Sequence, residues 1–389
     1  MSNLKNVLYI GGFELPDKNA AAHRVVAIGK ILNKIGFQIS FIGIDHEIET
    51  NDIINSKQEF GKNIRYKYKY PKTIKEWLHY ILTTKHIIEI IESSNRDIKI
   101  VIAYNYPAIA LYRLHKYCKK RNIAIIADST EWYVPNGNLL FKLIKDFDTN
   151  FRMKYVQPKL DGIIVISRFL KNYYLTKIEN IIEIPPLVDK NDIKWENNYR
   201  NVDSLVRLIY VGSPGAKDKI EIIVQALSML NSNINLSLDI VGISEEEFRE
   251  FYKLEDISLS GKFIFHGRLS NTSALNILKQ ADFSIFIRDN NLVSKAGFPT
   301  KFVEAMAAGI PVLTNKTSNI DDFLSNEFNG YFLDYSSTEE LASEFKKALI
   351  LERNTIYQLK ENCRNMMSFD ISQYTEKLQS FIKKTIAVD

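Results

Sequence analysis

Short runs of β-branched and aromatic residues alternate along this chain with longer stretches in which apolar residues recur every three to four positions. That succession predicts βαβ units built around a parallel sheet. It occurs twice. In the first half the expected strands are "NVLYIGG" from Asn6, "QISFIGI" from Gln38, "IKIVIAY" from Ile98, "IAIIAD" from Ile123, "DGIIVIS" from Asp161 and "IIEIPP" from Ile181. In the second they are "VRLIYVG" from Val206, "LSLDIVG" from Leu236, "KFIFHG" from Lys262, "FSIFIR" from Phe283, "PVLTN" from Pro311 and "GYFLD" from Gly330.

Between the two sets, "IPPLVDKNDIKWENNYRNVDS" breaks both periods with two prolines and a polar, charged stretch, as a linker does. The expected domains are therefore residues 1–186 and 187–369. The last segment, "DISQYTEKLQSFIKK" from Asp370, has helical period and could pack on either domain.

A length of 389 residues fits two domains of about 150 to 200 residues each. With 46% apolar and 12% aromatic residues, both can bury a core, which argues against a disordered chain. Two distant cysteines, Cys118 and Cys363, support neither a disulfide framework nor a Cys-rich metal site, and suit a reducing cytoplasm. No signal-peptide pattern opens the chain, and no apolar run approaches the roughly 18 residues of a spanning helix.

The net charge of +5 is unevenly spread. Residues 1–190 carry 29 Lys and Arg against 19 Asp and Glu, and the remainder 22 against 27. The basic half is either solvated surface or a face for an anionic partner such as a membrane or phosphorylated ligand. Nucleic acid is disfavoured, because the basic residues follow no recognisable reading motif.

Open parallel sheets bind ligands at the carboxyl ends of their strands, where helix N-termini bring free N–H groups and partial positive charge. After the first strand, Gly11 and Gly12 open a tight turn, Asn19 is placed to cap a helix, and the third glycine of a dinucleotide fingerprint is missing. In the second half, "YVGSPGAKDKIEIIVQAL" places a Gly212-Ser213 turn before Lys217 and Lys219. A cation opening a helix opposes the local dipole, so one lysine is expected to meet a phosphate, with Lys217 favoured over Lys219; the other reading for each is a lysine reaching into solvent.

"SKAGFPTKFVEAMAAGIPVL", from Ser294, completes the candidate site. Arg288 ends a strand, Gly297 and Phe298 offer backbone N–H groups, Thr300 and Lys301 begin a helix, and Glu304 follows one turn on. Cations, a hydroxyl and amides suit a diphosphate, and a carboxylate one turn further suits vicinal ribose hydroxyls.

The run "AGFPTKFVEAMAAGIPVLTN", with "YVGSPGAKD" and "NGYFLD", resembles the donor-binding domain of family-4 retaining glycosyltransferases of the GT-B fold, bacterial polysaccharide-biosynthesis type. The resemblance implies an α/β protein with two Rossmann-like doubly wound parallel-sheet domains facing across a cleft. A nucleotide sugar, such as a UDP- or GDP-sugar, would lie against the second domain and a glycan or lipid-linked acceptor against the first. The last helix would cross back to the first domain.

By position in the family motif, Glu304 corresponds to the second Glu of an E-x7-E signature, on the ribose. Lys217 corresponds to the phosphate lysine, and Thr300 and Lys301 to residues beside the diphosphate. Ala296 stands where the first Glu would be, and Ser213 or Pro214 where an Arg usually follows the glycine.

A glycosidase needs two flanking carboxylates. In the retaining transfer implied here, the departing phosphate takes the acceptor's proton, and the protein supplies positive charge through Lys217, Lys301 and Arg288, without metal or cofactor. Asp128 or Glu131, at the rim of the first sheet, is expected to orient the acceptor hydroxyl with Trp132 stacking on a sugar; the other reading is a capped helix start with an anchoring Trp. His266 reads as structural.

Residues 57–93 join a Lys- and Tyr-rich stretch to an amphipathic helix carrying Trp77, Leu78, Ile81, Leu82 and Ile88. That apolar face is either core or a contact with the inner membrane surface. Two other functions stay open: a nucleotide-sugar epimerase on the same two-domain plan, and a catalytically inactive sugar-nucleotide-binding subunit.

Overall fold

A computed structural model describes residues 5–50, 52–94, 97–134, 139–212, 217–230, 234–253 and 261–386. The chain divides into two compact units, residues 1–187 with 370–389, and residues 188–369. Each is built on its own sheet.

In the first unit the strands are β1 (Lys5–Gly11), β2 (Phe37–Asp45), β3 (Gln58–Phe60), β4 (Asn63–Lys69), β5 (Ile98–Tyr104), β6 (Ala124–Ser129), β7 (Gly162–Val165) and β8 (Ile181–Glu183). Their order is β3-β4-β2-β1-β5-β6-β7-β8, parallel throughout except for the antiparallel edge pair β3 and β4. Val7 in the middle of β1 faces Ile39 of β2 on one side and Ile100 of β5 on the other. Strands covered by helices on both faces are apolar at consecutive positions, and six consecutive residues of β1, from Asn6 to Gly11, are buried.

The pattern of apolar runs located six of these strands and missed β3 and β4. Within "NIRYKYK", Ile64, Tyr66 and Tyr68 are buried while the residues between them are half-buried, which is the period of a strand. The lysines and arginine between those apolar residues disguised it as a basic surface stretch. The following amphipathic segment is two helices, Ile74–Leu82 and Lys85–Ser93, not one.

The end of the chain belongs to the first unit. After a short turn at Ile371–Tyr374, the Thr375–Ile386 helix delivers Leu378, Phe381 and Ile382 to a core that also holds Val25, Ile28, Ile126 and Ile164. Gly162 leaves the space for it, since a Cβ there would lie 2.8 Å from the Phe381 ring.

In the second unit the strands are β9 (Val206–Val211), β10 (Leu236–Val241), β11 (Phe263–Phe265), β12 (Phe283–Phe286), β13 (Val312–Thr314) and β14 (Gly330–Phe332). All pair in parallel in the order β11-β10-β9-β12-β13-β14. The chain winds outward from β9 in one direction and from β12 in the other, so the switch point lies between these two strands. That is where an open α/β sheet leaves a crevice at its carboxyl edge.

Candidate functional site

At the switch point of the second unit four side chains converge. Tyr210, near the end of β9, donates its hydroxyl to Asp218 Oδ2 at 3.0 Å. Arg288, just past β12, places Nε 2.6 Å from Asp218 Oδ1. Lys301, in the first turn of the Thr300–Ala307 helix, makes a short charge-assisted hydrogen bond to Asp218 Oδ2. The ammonium also stands 4.0 Å from the centroid of the Tyr210 ring, in a cation–π contact.

Local backbone geometry brings these groups together. Asp218 forms an isolated antiparallel bridge with Arg288. Lys219 pairs with Asp289 at 3.1 Å, and Lys217 is exposed. Asn315, directly after β13, fixes the Arg288 backbone from both sides: it donates Nδ2–H to Arg288 O at 2.7 Å and accepts from Arg288 N–H at 2.9 Å.

Gly212 makes room for the ammonium. A Cβ at that position would stand 2.6 Å from Lys301 Nζ.

The electrostatics follow from two cations around one carboxylate in a nearly dry pocket. Burial raises the Asp218 carboxyl, but the charges and hydrogen bonds of Lys301 and Arg288 outweigh it and hold it well below the usual carboxylate range. Burial brings Lys301 down to about 8, against the pull of Asp218. Burial and the neighbouring Asp218 push the Tyr210 hydroxyl well above 10, so it stays a neutral donor. The cluster therefore carries one net positive charge at neutral pH. It adjoins the N-terminus of the Thr300–Ala307 helix, whose first turn no side chain caps.

Of the expected site residues, the structure assembles Lys301, Arg288 and Gly212, and sets Thr300 and Glu304 one turn apart on the Lys301 helix. Ser213 lies outside the described residues. Several expectations need correction. Lys217 is exposed, and the buried residue beside it is Asp218, on which the cluster converges. Gly297 does not offer its N–H, which is spent on Val293 O at 3.1 Å, while its carbonyl accepts from the Ser318 hydroxyl at 2.5 Å. The Phe298 side chain packs in the core against Phe302, Phe323 and Phe369, which leaves the expectation for its backbone N–H as it was. Ala296, where the resemblance would put a sugar-binding Glu, is fully buried.

Two other candidates lie in the first unit. Asp128 is not an open rim group: Arg24 grips it through Nε at 3.0 Å and Nη2 at 2.7 Å, and Tyr9 donates to it at 2.5 Å, all buried. Arg24 Nη1 also donates to Ile184 O at 2.8 Å, so this pair ties the first helix to β6 and to the residue after β8. Glu131 is half-buried beside Tyr133, whose hydroxyl it engages. Trp132 packs edge-on to Tyr173 with centroids 4.9 Å apart, the anchoring alternative. Gly12 is exposed and lines a cavity of the first unit with Tyr104 and Arg152. His266 is bonded to Asp239 at 2.6 Å.

Sequence reasoning missed Asp218, Tyr210 and Asn315. The signal for Asp218 was an acid flanked by two lysines just before a helix, in "AKDK"; Asn315 had none.

Residues 191–366 match the family described as Glycosyl transferases group 1. A protein of Methanocaldococcus jannaschii described as an uncharacterized glycosyltransferase is 23% identical over 255 residues, covering 60% of this chain and 62% of that one. Sucrose-phosphate synthase from Thermosynechococcus elongatus has the same fold over 99% of this chain and 100% of its own, at 14% identity and a TM-score of 0.73. A glycosyltransferase from Rickettsia africae aligns over 100% of both chains at 16% identity and a TM-score of 0.70. Anabaena HepE, solved with UDP-glucose, aligns over 97% of this chain and 99% of its own at 12% identity and a TM-score of 0.65. The fold is thus that of GT-B glycosyltransferases, with two Rossmann-like parallel-sheet units.

Proposed function

We propose that this protein, whose residues 191–366 are a group 1 glycosyl transferase domain, moves a sugar from a nucleoside-diphosphate donor to a glycan or lipid-linked acceptor with retention of configuration. The observation that carries the reading is the convergence of Arg288 and Lys301 on Asp218 at the carboxyl ends of β9 and β12, beside an uncapped helix N-terminus.

In this reading the diphosphate occupies the helix N-terminus with Lys301 and Arg288 against its oxygens. Asp218 keeps the two cations from repelling each other while the site is empty and holds them in place for the anion. Glu304, one turn further along, accepts hydrogen bonds from the ribose hydroxyls. As the sugar–phosphate bond breaks, negative charge grows on the leaving oxygen, and the preorganised cations stabilise it. The departing phosphate takes the acceptor's proton, so the second carboxylate of a glycosidase is unnecessary. Positive side chains, rather than a divalent ion, face the leaving group.

The acceptor is assigned to the first unit, with Glu131 as the carboxylate that orients it and Asp128 as scaffold. Contact with the inner membrane surface is assigned to the Ile74–Leu82 helix, which has no buried residue and exposes Ile74 at 80%. Surface polysaccharide synthesis is the setting these assignments suit.

Incubation with a panel of nucleotide sugars and lipid-linked acceptors tests the reading. Release of free nucleotide together with a glycosylated product is expected; donor conversion without transfer would favour an epimerase. A chain that no nucleoside diphosphate stabilises against heat would sink the proposal.

A further inference from the structure

Arg152 is a buried cation that forms no ion pair with a carboxylate among the described residues. The residue is 1% exposed. Its Nη1 donates to the backbone carbonyl of Asn105 at 3.1 Å, while Nε and Nη2 are buried with no hydrogen-bond partner among the described residues. One carbonyl and the face of the Tyr133 ring, 5.4 Å from the guanidinium carbon, replace only part of the water that such a group loses, and a buried group left partly unsatisfied calls for an explanation, of which a bound ion is one.

Arg152 begins a five-residue π-helical stretch, Arg152–Val156, that interrupts the helical path after Leu139–Phe151. One-turn π segments of this kind recur at functional sites, because the extra residue re-aims side chains.

The guanidinium lines a cavity of about 280 Å³ within the first unit, walled by Trp77, Tyr80, Tyr104 and Tyr133. Lys145 lines it as well, 5.9 Å from the Trp77 ring centroid and 5.5 Å from that of Tyr133. Asp148 also borders the cavity, but its Oδ1 accepts from the Ala108 N–H at 2.7 Å and caps the helix beginning there. Glu131 engages the Tyr133 hydroxyl. Two cations thus meet one committed carboxylate at the wall, with a second carboxylate beside Tyr133. Aromatic faces offer C–H stacking to a sugar ring, and a forked guanidinium offers two N–H groups to an oxyanion. The volume, at the small end of ligand pockets, admits one ring rather than a chain.

We infer that this cavity binds an anionic monosaccharide unit: a sugar ring stacked among Trp77, Tyr104 and Tyr133 whose carboxylate or phosphate is held by Arg152 and Lys145. That the ligand is part of the acceptor rests on the function proposed above; the site itself stands on the first unit alone.

Binding of glucuronate, glucose 1-phosphate and glucose to the full chain, followed by ligand-observed NMR, tests this. At least one of the two anions should bind about tenfold or more tighter than glucose, and which one identifies the oxyanion. Arg152→Met should abolish that preference and Lys145→Met should weaken it several-fold. Should Arg152→Met not fold, Lys145→Met and Trp77→Ala decide. The inference is overturned if glucose binds as well as both anions, if neither anion binds, or if anion affinity is unchanged in both Lys145→Met and Trp77→Ala. UDP and GDP binding measured on the same samples reads the second unit: its failure counts against the proposed transferase and leaves the cavity's result standing.

Discussion

Arg288 and Lys301 share a single carboxylate, that of Asp218, with Arg288 Nε 2.6 Å from Asp218 Oδ1 and the Lys301 ammonium on Oδ2. The two cations come from separate elements of the second unit, so only a group lying between them can hold both. That group is the protein's own Asp218 carboxylate.

Asp218→Asn should therefore destabilise the unliganded protein by about 3–5 kcal/mol, the range for removing one partner of a buried pair. Added nucleoside diphosphate should restore more stability in this variant than in the parent, since its phosphates replace the lost charge. Thermal denaturation with and without UDP and GDP checks this, and an unchanged midpoint in the empty variant would refute it.

Lys301 gives a pH signature. Its folded pKa of about 8 lies below the ordinary lysine value of 10.5, so between these values the unfolded chain binds more protons. This group's contribution to stability rises with pH across that window, and its burial penalty is fully present below about 8. Nucleotide affinity should move the opposite way, falling as pH passes through about 8 and the ammonium loses its charge. Calorimetry at pH 7 and 9 should show this fall in the parent and a flattened profile in Lys301→Met.

Glu304→Ala should weaken nucleoside-diphosphate binding by about 10- to 100-fold, the size of losing hydrogen bonds to a charged group. Transfer should drop in parallel. A nucleotide lacking ribose hydroxyls should bind parent and variant alike; full affinity of the variant for every common nucleoside diphosphate would remove Glu304 from the ribose.

Asp128→Asn should behave differently. It strips the buried Arg24 of its counter-charge and is expected to cost about 3–5 kcal/mol in chemical denaturation. Nucleotide affinity of the folded fraction should stay at the parental value, because the residue lies in the other unit. A variant as stable as the parent would mean that the pair contributes little.

The Ile74–Leu82 helix predicts sedimentation with anionic vesicles at low salt. Ile74→Asp should reduce it and raised salt should weaken it. No binding by the parent protein to such vesicles would end the membrane assignment.

The two-sheet plan was legible because parallel strands buried on both faces write themselves as continuous apolar runs, as in β1 and β9. β4 escaped because a strand with one wetter face mixes lysines among its tyrosines. Arg288 and Lys301 were legible as cations at strand and helix ends. Asp218 was hidden among three consecutive charged residues: which of them is buried depends on a bridge to Arg288 some 70 residues later. Asp128 misled for a related reason, since a strand-end carboxylate looks the same whether it meets solvent or a distant arginine.

The placement of Leu378, Phe381 and Ile382 in the first unit's core sets an order of events during synthesis. A ribosome delivers β1 first, yet the groups that close the hydrophobic surface around it are made only after all of residues 188–369. The second unit can fold on emergence, while the first waits with an apolar face uncovered. Nascent chains halted before residue 370 are thus expected to be chaperone clients, and the final helix is the step that releases them.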